Sequence, residues 1–149
     1  MTKAEYASEL FVKGYNCAQA VAMAFAPEMG ITEEMAAKMI SSFGGGMGRM
    51  REVCGAVSGM LFALGTLYGY TEDVGSVKME HYALVQALAG QFREINGSIV
   101  CREILKNPPS DPVPSPRTEQ YYATRPCVRM VYTAADILET YIAEHPVQS

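Results

Sequence analysis

An uncharged, largely apolar stretch in the middle of the chain limits the possible folds more than any other feature. No charged residue occurs from Val53 through Thr71, and Glu72 is the first to follow. Gly55 and Gly59 stand four residues apart, so they share one helix face and let another backbone approach closely. A helix without a polar face is buried in a globular protein. The stretch therefore predicts a central helix that is packed on all sides.

A membrane-spanning helix is the other interpretation of this stretch. Its length is borderline, four glycines dilute its hydrophobicity, and basic residues flank one side only. The beginning of the chain carries acidic residues and lacks the unbroken apolar region of a secretory signal. We therefore predict a buried helix, no membrane insertion and a cytoplasmic protein, in which structural disulfides are rare.

Helical periodicity accounts for most of the remaining chain. Capping residues and breakers predict helices over residues 2–13, 17–26 and 32–43, one from 74 or 76 to 95, a short one capped by Ser98, and a last one from Thr124 or Pro126 to Glu144. On the long helix, burial is predicted for Met79, Tyr82, Val85, Leu88 and Phe92.

The segment Asn107–Pro116 holds five of the eight prolines, so it cannot be a helix or an inner strand. It predicts a strap or a mobile loop, and no alternating strand pattern appears elsewhere. The prediction is an all-α, single-domain bundle of about six helices over residues 1–149, with a proline-rich strap before the last helix. The net charge of −4, without a lysine–arginine cluster, predicts no nucleic-acid partner. The apolar composition makes a homodimer reasonable.

Four cysteines are scattered along the chain at Cys17, Cys54, Cys101 and Cys127. Their spacing matches neither a zinc ribbon nor a bacterial-type ferredoxin, because no C-x-x-C occurs. Each cysteine falls near a predicted helix start, where free N–H groups and the helix dipole favour a thiolate and lower the pKa. Four such positions suit one convergent pocket that carries a metal, an iron–sulfur cluster or a reactive dithiol. Four unrelated cysteines that only fill core space are the alternative.

Positive charge is expected around the cysteines from nearby arginines in the sequence, at Arg49, Arg51, Arg102 and Arg125. In a metal site all four cysteines are the candidate ligands, with Arg49 and Gly55 as cofactor-binding residues. In a dithiol site Cys54 is the candidate attacking thiol because of its arginine neighbours, and Cys17 is the second catalytic candidate. We interpret His81 and His145, the only histidines, as structural or exposed.

The glycine-rich segment Gly44–Gly48 lies just before Cys54. It lacks the G-K-[ST] ending of a phosphate-binding loop and does not follow a predicted strand. We therefore expect its glycines to allow positive φ and a tight approach beside the cysteine pocket.

The hexapeptide C-G-A-V-S-G at Cys54–Gly59, with Cys17 before it and Cys101 and Cys127 after it, resembles the C_GCAxxG_C_C family, which is named for suspected redox activity. The segments N-C-A-Q-A-V and G-G-G-M-G-R-M-R-E-V-C look similar too. A related domain in split-Soret-type cytochromes is suspected of holding an iron–sulfur cluster in its cysteine pocket. The chain has no C-x-x-C-H, so no haem is expected.

Three functions stay open at this point. The resemblance favours an iron–sulfur cluster, or another metal bound by four cysteines, that transfers electrons with an unknown protein or small-molecule partner. A thiol–disulfide redox protein that cycles a cysteine pair is the second. The third is a non-catalytic binding or assembly module, in which the Gly55/Gly59 face serves packing or dimerisation.

Overall fold

The computed structural model describes residues 1–147. Its helices are α1 (Lys3–Val12), α2 (Cys17–Ala24), α3 (Ala26–Met29), α4 (Glu33–Ile40), α5 (Gly44–Met47), α6 (Gly55–Tyr68), α7 (Gly75–Asn96), α8 (Cys101–Ile104), α9 (Glu119–Thr124) and α10 (Cys127–Glu144). Six of these described helices have eight or more residues, and the others are single turns or little more. The prediction of an all-α bundle is confirmed.

Side-chain caps begin three of the early helices where the sequence predicted them. The side chains of Thr2, Asn16 and Thr32 accept hydrogen bonds from backbone N–H groups in the first turns of α1, α2 and α4. Asn16 and Gln19 form a reciprocal capping box, which satisfies two N–H groups at once. This cap fixes the start of α2, and therefore the position of Cys17.

The uncharged helix α6 lies at the centre of the bundle, where Thr66 is its one exposed residue. It packs against α2 through its glycine face, because a Cβ at Gly59 would lie 2.6 Å from the carbonyl oxygen of Ala18. The close backbone approach predicted from Gly55 and Gly59 is confirmed. Helices α2 and α10 pack against it, and no described helix is long and apolar enough to cross a membrane.

The predicted burial of the long helix α7 is only partly right. Leu88 and Phe92 are buried as expected, whereas Met79 and Tyr82 are 66% and 53% exposed. All buried residues of α7 lie in its second half. With 22 residues, α7 is much longer than the 14-residue α6 that it contacts, so its first half extends past the core.

The region before the last helix also differs from prediction. Thr124 ends the unpredicted helix α9, and α10 begins only at Cys127, after Pro126. Ser98 does not cap α8; its hydroxyl accepts from the Val100 N–H and so shapes the turn before that helix. Residues 107–118 contain no helix or strand, in line with the proline-rich composition of the strap.

Candidate functional site

All four cysteines line a single cavity of about 220 Å³. Cys54 and Cys101 are buried, Cys17 and Cys127 are half-buried, and all four are free thiols. Three of them are the first residues of α2, α8 and α10, and Cys54 is the residue immediately before α6. The predicted positions at helix starts are therefore correct, and the starts of four helices meet at this cavity.

A short backbone clasp holds Cys54 beside Cys101. Val53 and Val100 form an isolated antiparallel β-bridge. Within it, the Cys54 N–H donates to the Ile99 carbonyl at 2.7 Å, and the Cys101 N–H donates to the Glu52 carbonyl at 2.6 Å. Sequence reasoning missed this clasp because two residues on each side are too short for an alternating pattern. The Val-Cys pair that occurs at both positions is the one available signal.

The glycine-rich segment before the clasp is a left-handed turn. Five consecutive residues, Gly45 to Arg49, have φ of 66, 72, 68, 58 and 67°, and Arg51 has φ of 64°. The left-handed conformation costs a non-glycine residue about 1–2 kcal/mol, so Met47, Arg49 and Arg51 are strained. The predicted positive φ of this segment is confirmed. Strain of this kind persists where the surrounding structure enforces it, often at functional sites.

Glycines also leave room for the sulfur-bearing side chains. A Cβ at Gly46 would lie 2.8 Å from the Cβ of Cys101. A Cβ at Gly55 would lie far inside van der Waals contact of the Cys17 sulfur. Any side chain at either position would displace a cysteine. Gly55 lines the cavity, and its role as a cofactor-binding residue stays a prediction.

The cavity is lined by positive but not by negative residues. Four arginines line it, Arg49, Arg51, Arg117 and Arg125, and no Asp, Glu or His does so among the described residues. Of the four arginines predicted from sequence, Arg102 lies outside: it is exposed and pairs with Glu52. Arg117 takes its place and was missed, because it is distant in sequence from every cysteine.

Two of these arginines connect the cavity wall to other segments. Arg49 donates to the Asp111 carbonyl at 2.8 Å and to the Ser115 hydroxyl at 3.0 Å, so it anchors the strap. Arg117 donates to the carbonyls of Phe11 and Tyr15 and lies over the Phe11 ring at 4.2 Å. The second half of the strap, from Asp111 onward, is therefore fastened to the cavity wall and to the end of α1.

Arg51 is the exceptional member of the set. It is only 4% exposed, its Nε donates to the Pro109 carbonyl at 2.9 Å, and its Nη1 lies 3.7 Å from the Cys101 sulfur. Its Nη2 is the one buried side-chain nitrogen or oxygen within residues 1–147 that has no hydrogen-bond partner. Buried charged donors nearly always have an acceptor in native proteins. The orphaned N–H fits an anionic group in the cavity.

The expected lowering of the cysteine pKa values is wrong for Cys17, Cys54 and Cys127. Burial raises the pKa of all three thiols, to about 11 for Cys127 and well above the ordinary value for Cys54. Repulsion from the other cysteines adds to the effect, so the sulfurs lie within electrostatic reach of one another. Backbone N–H groups do lower the pKa of Cys17 and Cys54, but less than burial raises it.

The histidines do not belong to the cavity wall. His81 lies on α7 against the Tyr70 ring, and His145 stacks on Tyr141. Within residues 1–147 no group of three or more His, Cys, Asp or Glu side chains is arranged around a single metal-ion position. Tyr121 lines the cavity beside Cys127.

These features define a small all-α protein with a four-cysteine cavity at converging helix starts. The chain belongs to the C_GCAxxG_C_C family, because the family model described as "Putative redox-active protein (C_GCAxxG_C_C)" matches residues 15–141, which include all four cysteines. A comparison with curated proteins and one with solved structures gave no significant match.

Proposed function

We propose that the four cysteines bind an iron–sulfur cluster, or another metal group with four cysteine ligands, for electron transfer. The observation that carries the proposal is the lining of the cavity: four cysteines from four helix starts, four arginines, and no carboxylate or imidazole among the described residues. Thiolates are the soft ligands that iron–sulfur clusters use, and such a cluster accepts and donates single electrons.

The size of the cavity supports a cluster more than a single ion. At about 220 Å³ it is far larger than one metal ion. In a cluster the four cysteines bind different iron atoms or share two of them, so their sulfurs lie further apart than around one ion. Cys17, Cys54, Cys101 and Cys127 would hold the group.

The surroundings of the cysteines suit a negatively charged centre. Metal binding replaces the thiol protons, so a bound metal would stabilise thiolates even where the empty cavity raises the thiol pKa. Arg49 and Arg51 line the wall and would offset the thiolate charge, and Gly55 keeps the space that the Cys17 sulfur occupies. Burial of Cys54 and Cys101 would exclude water from one side of the centre. The half-buried Cys17 and Cys127 would provide the side nearest to a redox partner.

A thiol–disulfide function ranks below the cluster. The attacking species is a thiolate, and burial holds the pKa of Cys54 and Cys17 above the ordinary thiol value. Cys54, the candidate attacking thiol, is only 6% exposed. Both properties weaken a nucleophile. The redox partner, a cytoplasmic location and a homodimer stay predictions.

The test is anaerobic purification of the whole chain, followed by a visible spectrum and by iron, zinc and acid-labile sulfide analysis. We expect a brown protein with equal amounts of iron and sulfide, whose colour bleaches when dithionite is added. Reconstitution with ferrous iron and sulfide would restore a cluster that is lost during purification. A colourless, metal-free protein with four titratable thiols after reconstitution would contradict the proposal.

A further inference from the structure

The cysteine cavity carries more positive charge than the proposed cluster can neutralise. Four guanidinium groups line it, and one of them, Arg49, lies 3.9 Å from the Asp111 carboxylate. An oxidised two-iron, two-sulfide core with four thiolates has a net charge of about −2. With the cluster oxidised, the formal charges of the four arginines, the cluster and Asp111 therefore sum to about +1.

Arg51 has one guanidinium N–H group that no described residue accepts. Its Nε and Nη1 already contact Pro109 and Cys101, while Nη2 is buried without an acceptor. The backbone of Arg51 is strained, with φ of 64°. Such strain persists only where the surrounding structure holds the residue in place. A carboxylate or oxyanion would supply the missing acceptor.

Arg125 is the second cation available for this role. Its guanidinium lies 5.2 Å from the Tyr121 ring centre and makes no hydrogen bond or ion pair within residues 1–147. It lines the same cavity as Arg51 and is half-buried. Arg49 and Arg117, by contrast, use their N–H groups to bind the strap and the end of α1.

We propose that Arg51 and Arg125 form an anion-binding subsite in the cysteine cavity, which takes a small carboxylate or oxyanion as the substrate class of the redox centre. The role of the anion as a substrate of the redox centre rests on the proposed function, whereas the existence of the anion site does not. Arginine suits this ligand because its planar N–H fork matches two oxygen atoms at once. The cavity of about 220 Å³, shared with the cluster, limits the ligand to a few non-hydrogen atoms.

Calorimetric titration with acetate and with inorganic phosphate, at constant ionic strength, tests the proposal and separates the two anion shapes. It is done on the reduced, metal-free protein and on the iron-loaded protein. We expect at least one of the two anions to bind both forms, and Arg51→Gln to weaken binding about tenfold or more. Arg51→Lys keeps the charge but loses the fork, so a smaller loss is expected. Arg93→Gln, which removes an exposed arginine on α7, is the control and should bind like the natural chain.

Each result decides between the two proposals. Absence of binding, or equal binding by Arg51→Gln, would overturn the anion site. Binding by the metal-free form that disappears after iron loading would overturn it too, because Arg51 would then serve the cluster alone. Binding by a protein that never takes up iron would keep the anion site and refute the cluster. If circular dichroism shows that Arg51→Gln does not fold, Arg51→Lys decides. An anion affinity equal to that of the natural chain would refute binding through the guanidinium group of Arg51.

Discussion

The four cysteines of the cavity are held in two different ways. The inner pair, Cys54 and Cys101, is buried, and backbone hydrogen bonds of the Val53–Val100 clasp fix both members. The rim pair, Cys17 and Cys127, is half-buried, and each member is the first residue of a helix that packs in the main core. The inner pair thus depends on a strained loop and its partner segment, whereas the rim pair depends on helix packing.

Different parts of the chain therefore determine the geometry of the inner cysteines and the stability of the helical bundle. Helices α1, α2, α6, α7 and α10 hold most of the large buried apolar side chains, to which the clasp adds only Val53, Cys54 and Ile99, and the rim cysteines occupy positions which that packing sets. The left-handed turn, by contrast, contributes backbone strain, and the buried charge of Arg51 also costs stability. Features of this kind are expected where function rather than folding determines the structure.

The largest effect should separate the two pairs directly. Cys54→Ser is expected to remove nearly all bound iron, because a buried serine hydroxyl is a hard, weakly ionised ligand and water cannot take its place. Cys127→Ser should keep part of the iron, since the cavity is open enough at the rim for water to complete the ligand set. Iron and sulfide content after anaerobic reconstitution measures both. Far-ultraviolet circular dichroism should show natural helical content in each variant.

Two outcomes would remove this distinction. Equal iron loss in both variants would mean that the inner and rim cysteines are equivalent ligands. An unfolded Cys54→Ser protein would mean that Cys54 serves the core, as a space-filling cysteine does.

The second effect concerns thiol ionisation in the metal-free protein. Burial, and then the charge of Cys17, raise the pKa of the Cys127 thiol to about 11. Its alkylation by iodoacetamide at pH 7–8 should therefore be on the order of 100-fold slower than in the urea-unfolded chain, and should accelerate about tenfold for each pH unit. Cys54, whose pKa is also raised by burial and which is only 6% exposed, should react more slowly still. Mass spectrometry of timed samples assigns each rate to its cysteine.

The same pKa direction predicts how stability depends on pH. A pKa that is higher in the folded state means that folding favours the protonated thiol. This stabilisation is complete below the unfolded pKa of about 8.5 and is lost as the pH rises towards 11. Urea unfolding of the metal-free protein at pH 7 and pH 10 measures it. Equal stability at both values, or rapid alkylation of Cys127 at pH 7, would show that the cavity is more open to water than its lining indicates.

Local signals explain what the sequence could predict. Asn16 and Gln19 lie three residues apart, so the start of α2 and the position of Cys17 follow from neighbouring residues alone. The uncharged composition of α6 likewise predicts its burial without reference to any other segment. The all-α fold and the positive φ of the glycine segment belong to the same group.

Contacts between distant segments explain what the sequence could not predict. The clasp joins residues about fifty positions apart, and neither side is long enough to show strand periodicity. Arg117 reaches the cavity from the far end of the strap, and Met79 is exposed because α7 extends past its neighbours. The wrong prediction of lowered cysteine pKa values has the same origin. Helix starts can be recognised in the sequence, whereas the burial that outweighs their effect on the pKa depends on the assembled cavity.

The smallest expected effect tests whether the left-handed turn holds the inner pair. Gly46 and Gly48 both have positive φ, 72° and 58°. At Gly48 a Cβ would meet only the Ser42 carbonyl oxygen at 3.9 Å, so Gly48→Ala should cost only the strained conformation, about 1 kcal/mol. At Gly46 a Cβ would also lie 2.7 Å from the Glu52 nitrogen and 2.8 Å from the Cys101 Cβ. Gly46→Ala should therefore cost about 2–3 kcal/mol and lower iron content as well, because the clasp must shift. Urea unfolding and iron analysis compare the two variants; an equal loss in both would mean that the backbone conformation alone matters and that the turn does not position Cys101.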